Sequence, residues 1–224
     1  MDLNEEIELF KKMVTEIFQR YQLYSLDYES STENKINFRK KCVHHFLDDN
    51  SGILDETLLK EIDFFKSIVS QEDSDILVDE ELTILNTDRR IKNDRSIYDK
   101  LLRYRMGEEA GAIPVRKCLN DLLGYRFIFR NNMKFDDLFK LIKGIVEQNP
   151  TLSSKVDVKN STKKGYRGIH LYFKGQSNHT FPCELQVWKY GDDKSNNESH
   201  KKYKRRYLEW EENENMLHKL ERGE

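Results

Sequence analysis

The chain is poor in cysteine, has no long apolar run and contains no repeat, and each absence excludes a class of protein. Its 224 residues include three cysteines, Cys42, Cys118 and Cys183. They are odd in number and lack metal-ligand spacing, so they read as reduced thiols of a cytoplasmic protein, not as a disulfide framework. No segment approaches the roughly 18 consecutive apolar residues of a membrane helix. The opening "MDLNEEIELFKKM" is acidic and amphipathic, the wrong character for a signal peptide.

What is present points to a soluble domain with an anionic ligand. Apolar residues make up 37% and charged residues 35%, enough for one core beneath a heavily solvated surface. The charge is unevenly divided. Residues 1–80 carry 9 Lys+Arg and 19 Asp+Glu, a net of −10, and residues 81–224 carry 29 and 21, a net of +8. The basic second part suits phosphate groups in a pocket better than long duplex DNA. This suggests a helical region over 1–80 and a second region over 81–224.

Periodicity supports that division. Ile7, Phe10, Met13, Val14, Ile17, Phe18 and Tyr21 form one apolar helical face. Further helices are expected over Ile36–Leu47 and over Asp55–Val69, the latter capped by Asp55. "SQEDSDILVDEE" (Ser70–Glu81) reads as an acidic connection. "LTILNTDRRIK" begins with strand-like alternation, and "SIYDKLLRYR" returns to a helix with Ser96 as its cap. "LLGYRFIF" reads as a strand and "FDDLFKLIKGIVEQ" as an amphipathic helix. "KVDVK", "YRGIHLYF" and "FPCELQVW" read as three more strands, with "SNHT" as a turn between the last two. A charged helix is expected from about Asn196. The expected class is α+β: helices, a mixed sheet with a crossover helix, then a terminal helix.

Three groups of residues could carry chemistry. Asp121 lies just before "LLGYRFIF", and Glu184 lies inside "CELQVW". Two carboxylates on neighbouring strands can hold Mg²⁺ against phosphate oxygens, or one can hold metal while the other takes a proton. The plainer alternative is that Asp121 caps a turn and Glu184 faces solvent. Arg90, Lys92, Ser96, Lys100 and Arg103 form a polar and cationic run. Ser96, Lys100 and Arg103 share a helical face that suits a triphosphate, or is simply solvated. In "GYRGIHLYF", strict alternation puts Tyr166, Gly168 and His170 on one face, with Gly165 opening the approach. Tyr166 can stack on a base and His170 can bond a phosphate or a carboxylate, or His170 is an ordinary core histidine. Glu184 and Gln186 alternate in the same way. A further cluster, "HHFLDD", offers His44, His45, Asp48 and Asp49 at helical spacing as a candidate metal set.

Taken in order, "RIKNDRSIYDK", "DLLGYRFIF", "GYRGIHLYF" and "ELQVW" resemble the synthetase domain of the RelA/SpoT family, over about Arg90–Trp188. "HKKYK" (His200–Lys204) is a weaker echo. The resemblance implies a nucleotidyltransferase-like mixed sheet. It also implies transfer of the β,γ-pyrophosphate of ATP to a 3′-hydroxyl, usually of GDP or GTP, to give (p)ppGpp. By the same resemblance Asp121 binds Mg²⁺, and Glu184 supports the metal or activates the attacking hydroxyl. Tyr166 stacks on the acceptor base, and His170 and Gln186 line the acceptor side. Arg90, Lys92, Ser96 and Lys100 match the ATP-binding run, with Arg103 continuing their face. Arg126 matches a structural arginine. The chain departs from the family pattern at Trp188 (usually arginine), Gly168 (often serine) and Lys164 (often asparagine), and in a longer stretch between Lys100 and Asp121. Most of these changes touch the acceptor side.

Residues 1–80 are too few for the hydrolase domain of the long family members, so a small stand-alone synthetase is expected. The alternatives are a toxic member that acts on the tRNA 3′ end or makes adenosine alarmones, and a decayed nucleotide-sensing module. The basic run "HKKYKRRY" (His200–Tyr207) either contacts a tRNA backbone or is a solvated helix face. A homo-oligomer and an antitoxin partner both stay open, and no membrane is implied.

Overall fold

The computed structural model describes residues 2–48, 51–71, 88–163 and 165–199. The expected acidic connection beyond Gln71, the start of the run from Leu82, Lys164 and the basic run His200–Tyr207 lie outside them. The expected α+β class is what the structure shows.

Helix α1 (Leu3–Ser31) opens the chain. Asp2 caps it through Glu5 N–H, and the Glu5 carboxylate reaches back to Asp2 N–H at 2.8 Å. Its apolar stripe packs on one face of a five-stranded sheet, with the Phe10 ring 5.5 Å from that of Phe127. Helix α2 (Glu56–Gln71) begins where expected, and Asp55 accepts from Thr57 N–H and Leu58 N–H. Helix α3 (Asp94–Met106) starts earlier than "SIYDKLLRYR" suggests. Its cap is Asn93, whose side chain accepts from Ser96 N–H at 2.8 Å, so Ser96 sits inside the first turn. Short α4 (Val115–Cys118), the amphipathic crossover α5 (Phe135–Gln148) and short α6 (Pro150–Lys155) complete the described helices, and residues 193–199 are also helical.

The sheet order is β1-β2-β5-β4-β3, with β1 Asp88–Ile91, β2 Leu123–Phe129, β3 Val156–Asn160, β4 Ile169–Phe173 and β5 Cys183–Lys189. β2 and β5 run parallel, and the other pairs are antiparallel. β5 is buried on both faces, as a central strand should be. Leu185 and Val187 join the core, which is one continuous cluster from Phe10 to Val187.

Two further expectations fail. Residues 36–47 are not a helix; they hold a turn and a short 3₁₀ segment, Val43–His45. Their backbone groups are taken by distant partners. Phe38 N–H donates to Asn178, Val43 N–H to Ile113, and Arg116 N–H to Phe38, each at 2.9 Å. Phe38 stacks on Phe181 with centroids 4.2 Å apart, and that burial outweighs local helix propensity. The second failure is the start of β4. Tyr166 and Gly168 lie before the strand, in a loop where Lys163 and Tyr166 form an isolated bridge.

Buried carboxylates tie α1 to the sheet edge beyond β2 and to α2. Glu6 is 2% exposed and accepts from Arg130 N–H at 2.5 Å and Asn131 N–H at 3.0 Å. Glu61 accepts from Tyr28 Oη and Thr32 Oγ1. Glu6→Ala leaves two backbone donors without their acceptor and should lower stability by about 1–2 kcal/mol in urea unfolding. An unchanged midpoint would mean that water replaces the carboxylate without cost.

Candidate active site

Strand alternation builds the site. The sheet face away from α1 presents Asp88 and Arg90 of β1, Gly124 and Arg126 of β2, Glu184, Gln186 and Trp188 of β5, and His170 and Tyr172 of β4. Arg90 pairs in register with Gly124, Gly124 with Glu184, and Glu184 with Tyr172. A cleft of about 200 Å³ opens there, lined by Asp88, Arg90, Gly124, Tyr125, Arg126, Glu184 and Gln186.

Asp121 lies just before β2, 8% exposed. It gathers the cations of two elements. Lys92, just after β1, reaches Oδ2 at 2.8 Å, and Lys100 of α3 reaches Oδ1 at 3.0 Å. Arg90 stands 4.0 Å from Oδ2. Lys100 also donates to Asn120 Oδ1 at 3.1 Å. Burial pushes the Asp121 carboxyl up, but Lys100 and Lys92 outweigh it and hold the group well below the usual carboxylate range. Burial lowers Lys92, whereas for Lys100 the charge of Asp121 prevails over burial and raises it. Arg103 is half-buried on the same helix, and its charge acts on Cys118, whose thiol burial pushes up to about 12. Ser96 is half-buried in the first turn of α3.

Glu184 is 4% exposed and does not face solvent. His170 Nδ1 lies 2.9 Å from its Oε1, and Gln186 Nε2 donates to its Oε2 at 2.7 Å. Burial raises the carboxyl, and so does the charge of Asp121. The contacts with His170 and Gln186 prevail and leave it below the ordinary value. His170 Nε2 meets Tyr166 Oη at 2.6 Å, and Trp188 Nε1 donates to the same oxygen at 3.1 Å. The order Trp188–Tyr166–His170–Glu184 is therefore one connected polar chain. Burial lifts the Tyr166 phenol to about 12, so it stays neutral.

Tyr166, Gly168 and His170 do come together, by a route other than strand alternation. Gly165 has φ +79°, and the loop folds the Tyr166 ring back over Gly168. A Cβ at Gly168 would stand 2.5 Å from Tyr166 Oη, so any larger residue would displace the ring. Asn196 clamps the loop from the 193–199 helix, accepting from Arg167 N–H and donating to Arg167 O, both at 2.8 Å.

Several contributors were missed in the sequence. Asn196 is one. Tyr172 is another, 3.1 Å from His170 Nδ1. Arg126, first read as structural, lines the cleft with its guanidinium 3.8 Å from the Trp188 ring centroid. The alternation of β4 and β5 could have flagged Tyr172 and Trp188, whereas nothing local marks Asn196. His44, His45 and Asp48 do not share a helical face, because that helix is not formed, and Asp49 lies outside the described residues.

The donor set suits a hard divalent cation. Asp121 and Glu184 are both held ionised, and both offer oxygen. A bound Mg²⁺ would draw on those carboxylates.

The family described as "Region found in RelA / SpoT proteins" matches residues 89–207. Among solved structures, small alarmone synthetase 1 from Bacillus subtilis is 14% identical, with 75% of this chain and 94% of that chain covered and a TM-score of 0.40. The same protein bound to its product pppGpp gives 14%, 75%, 94% and 0.41. Small alarmone synthetase 2 from Bacillus subtilis is 23% identical over 67% of this chain and 77% of that chain, with a TM-score of 0.36. A search of curated proteins gave no match. Among the described residues, no helix is long and apolar enough to cross a membrane.

Asp121→Asn removes the anion but leaves two poorly solvated ammonium groups, and should cost about 2–4 kcal/mol of stability near neutral pH. The Asp121 carboxyl is depressed by folding, so its contribution is complete above the unfolded value of about 3.9 and lost as pH falls through the folded value. The gap between wild type and variant in urea unfolding should hold from pH 7 to about pH 4 and narrow below. A gap that widens on acidification would contradict this assignment.

Proposed function

Because the chain belongs to the RelA/SpoT family, we propose that it is an ATP-dependent pyrophosphokinase that transfers the β,γ-pyrophosphate of ATP to the 3′-hydroxyl of GDP or GTP, giving (p)ppGpp. The observation that carries this reading is the pair of buried carboxylates, each held ionised by different partners: Asp121 by Lys92 and Lys100, Glu184 by His170 and Gln186. Pyrophosphoryl transfer asks a protein for positioning and charge neutralisation more than for covalent help.

The roles divide along the sheet. Arg90, Lys92 and Lys100, with Ser96 and Arg103 on α3, receive the ATP phosphates. Lys92 and Lys100 then exchange one anionic partner for another with little further desolvation. Asp121 and Glu184 would hold Mg²⁺, which would supply charge neutralisation for the transferred phosphates. On the acceptor side, Glu184 takes the proton from the 3′-hydroxyl as that oxygen attacks the β-phosphorus, and the bond to the α-phosphate oxygen breaks to release AMP. His170 and Gln186 fix the Glu184 carboxylate. Gln186 Oε1 is buried without a protein partner and lines the cleft, so a donor on the acceptor would satisfy it. Tyr166 supplies an aromatic face for the acceptor base.

The test is incubation with γ-³²P-ATP and Mg²⁺, in parallel with GDP, GTP, no second nucleotide, or deacylated tRNA. Label on GDP or GTP is expected. Label on tRNA alone, or on ATP alone, would assign the acceptor to the toxic class of relatives, and nucleotide binding without label would indicate a sensor. Asp121→Ala should reduce transfer roughly 1000-fold, a loss of several kcal/mol of charge stabilisation. Tyr166→Ala should raise the KM for the acceptor about tenfold with little effect on that for ATP, as expected for loss of one stacking contact. Equal effects on both KM values would remove Tyr166 from the acceptor side.

A further inference from the structure

The three-residue 3₁₀ turn that replaces the expected second helix brings together Cys42, His44 and His45. One ligand atom from each lies within 4.8 Å of the other two. The chain holds the arrangement from beneath. Val43 is fully buried and its N–H donates to Ile113 O at 2.9 Å, while His44 N–H donates to Gly111 O at 3.1 Å. Cys42 forms a β-bridge with Pro114. Gly111 makes the approach possible: its φ is +78°, and a Cβ there would stand 2.9 Å from His44 N. The partner segment belongs to the stretch between Lys100 and Asp121 that is longer than the family pattern leads one to expect.

The His44 imidazole is oriented as metal-binding histidines usually are. His44 Nδ1 lies 3.0 Å from Gly111 O, and a ring donating Nδ1–H there presents Nε2 as its ligand atom. His45 Nδ1 lies 3.3 Å from Cys42 O, and the tautomer that donates to that carbonyl likewise presents Nε2. The two rings stack with centroids 4.2 Å apart, so both stand beside the Cys42 sulfur. The sulfur lies 3.9 Å from Lys40 O.

We propose that Cys42, His44 and His45 form a Zn²⁺ site that pins the 42–45 turn to the 111–114 loop. One thiolate and two imidazoles are the ligand set of zinc rather than of Mg²⁺ or Ca²⁺. Binding releases the thiol proton of Cys42, and the fourth position falls to water. The ion would fasten the N-terminal helical region to the loop that follows α3, the helix that carries Lys100 and Arg103. The proposal is independent of the pyrophosphate-transfer reading, and its test contains no nucleotide.

The test is titration of the reduced full-length chain with Co²⁺ alone, followed by displacement with Zn²⁺. A thiolate-to-cobalt charge-transfer band should grow to one equivalent and be bleached by Zn²⁺. Asp121 and Glu184 offer oxygen only and cannot produce that band. Cys42→Ser should abolish it, and the double variant His44→Ala, His45→Ala should weaken Co²⁺ binding by at least about 10–100-fold. The three positions are partly or fully exposed, so the variants should keep the wild-type circular dichroism. If Cys42→Ser fails to fold, the double variant decides. No band in the wild-type chain, an undiminished band in Cys42→Ser, or undiminished affinity in the double variant overturns the site.

Discussion

The parallel pairing of β2 with β5 is the constraint on which the cleft depends. Parallel neighbours cannot be joined by a tight turn, so the chain needs a long excursion between them. Residues 130–182 supply it: α5 and α6 cross one face, then β3 and β4 return antiparallel to bring β5 in. The register of that pairing sets Glu184 opposite Gly124, three residues beyond Asp121. Slipping it by one residue would turn Glu184 and Gln186 toward α1 and bury Leu185 and Val187 against a polar cleft. The apolar alternation of β5 therefore fixes the site as firmly as its carboxylates do.

The two carboxylates are kept charged by unlike means, and the difference is informative. Asp121 is surrounded by full positive charges, whereas Glu184 leans on an imidazole and an amide. A group surrounded by ammonium ions is a poor base, because protonating it strands its partners. A group held by weaker donors is nearer to accepting a proton. On the proposed reading, these surroundings would suit Asp121 to holding charge and Glu184 to accepting a proton, although both side chains are buried carboxylates. Because the pKa of both carboxyls is lowered, the site carries its anions throughout the neutral range.

Much of this was legible in the sequence because it follows from local rules. The face of α1, the Asp55 cap, the amphipathic α5 and the strands "LLGYRFIF" and "CELQVW" all obey a period or a cap that a few residues display. What was not legible depends on distant partners. Residues 36–47 have a helical pattern, yet their backbone bonds go to residues 111–116 and 178, and only the folded chain supplies those. Ser96 looked like a cap because the true cap, Asn93, stands three residues before it in a run of equally polar residues. Tyr166 was placed on the right side for the wrong reason: a loop folded over Gly168, not strand alternation, carries it to His170. The three cysteines showed no metal spacing because Cys42 meets its histidines through a 3₁₀ turn that no helical or zinc-finger spacing describes.

The acidic excess of the N-terminal region takes on a structural meaning in the fold. Glu6 and Glu29 stand on one rigid helix, separated by about 35 Å at 1.5 Å per residue. Glu6 accepts from the backbone of residues 130 and 131, just beyond β2. Glu29 accepts from Ser177 N–H and from Thr180 Oγ1, in the connection from β4 to β5. One helix therefore holds the chain as it leaves β2 and again as it turns toward β5. Because the helix does not stretch, the two loops keep a fixed separation, and the strands between them keep theirs. Acidic side chains are well suited to this task. Each carboxylate can accept several backbone or hydroxyl hydrogen bonds at once, and loop ends are where unpaired donors collect. The negative half of the chain braces the sheet from behind, while Arg90, Arg126, Lys92 and Lys100 gather at and beside the opposite face.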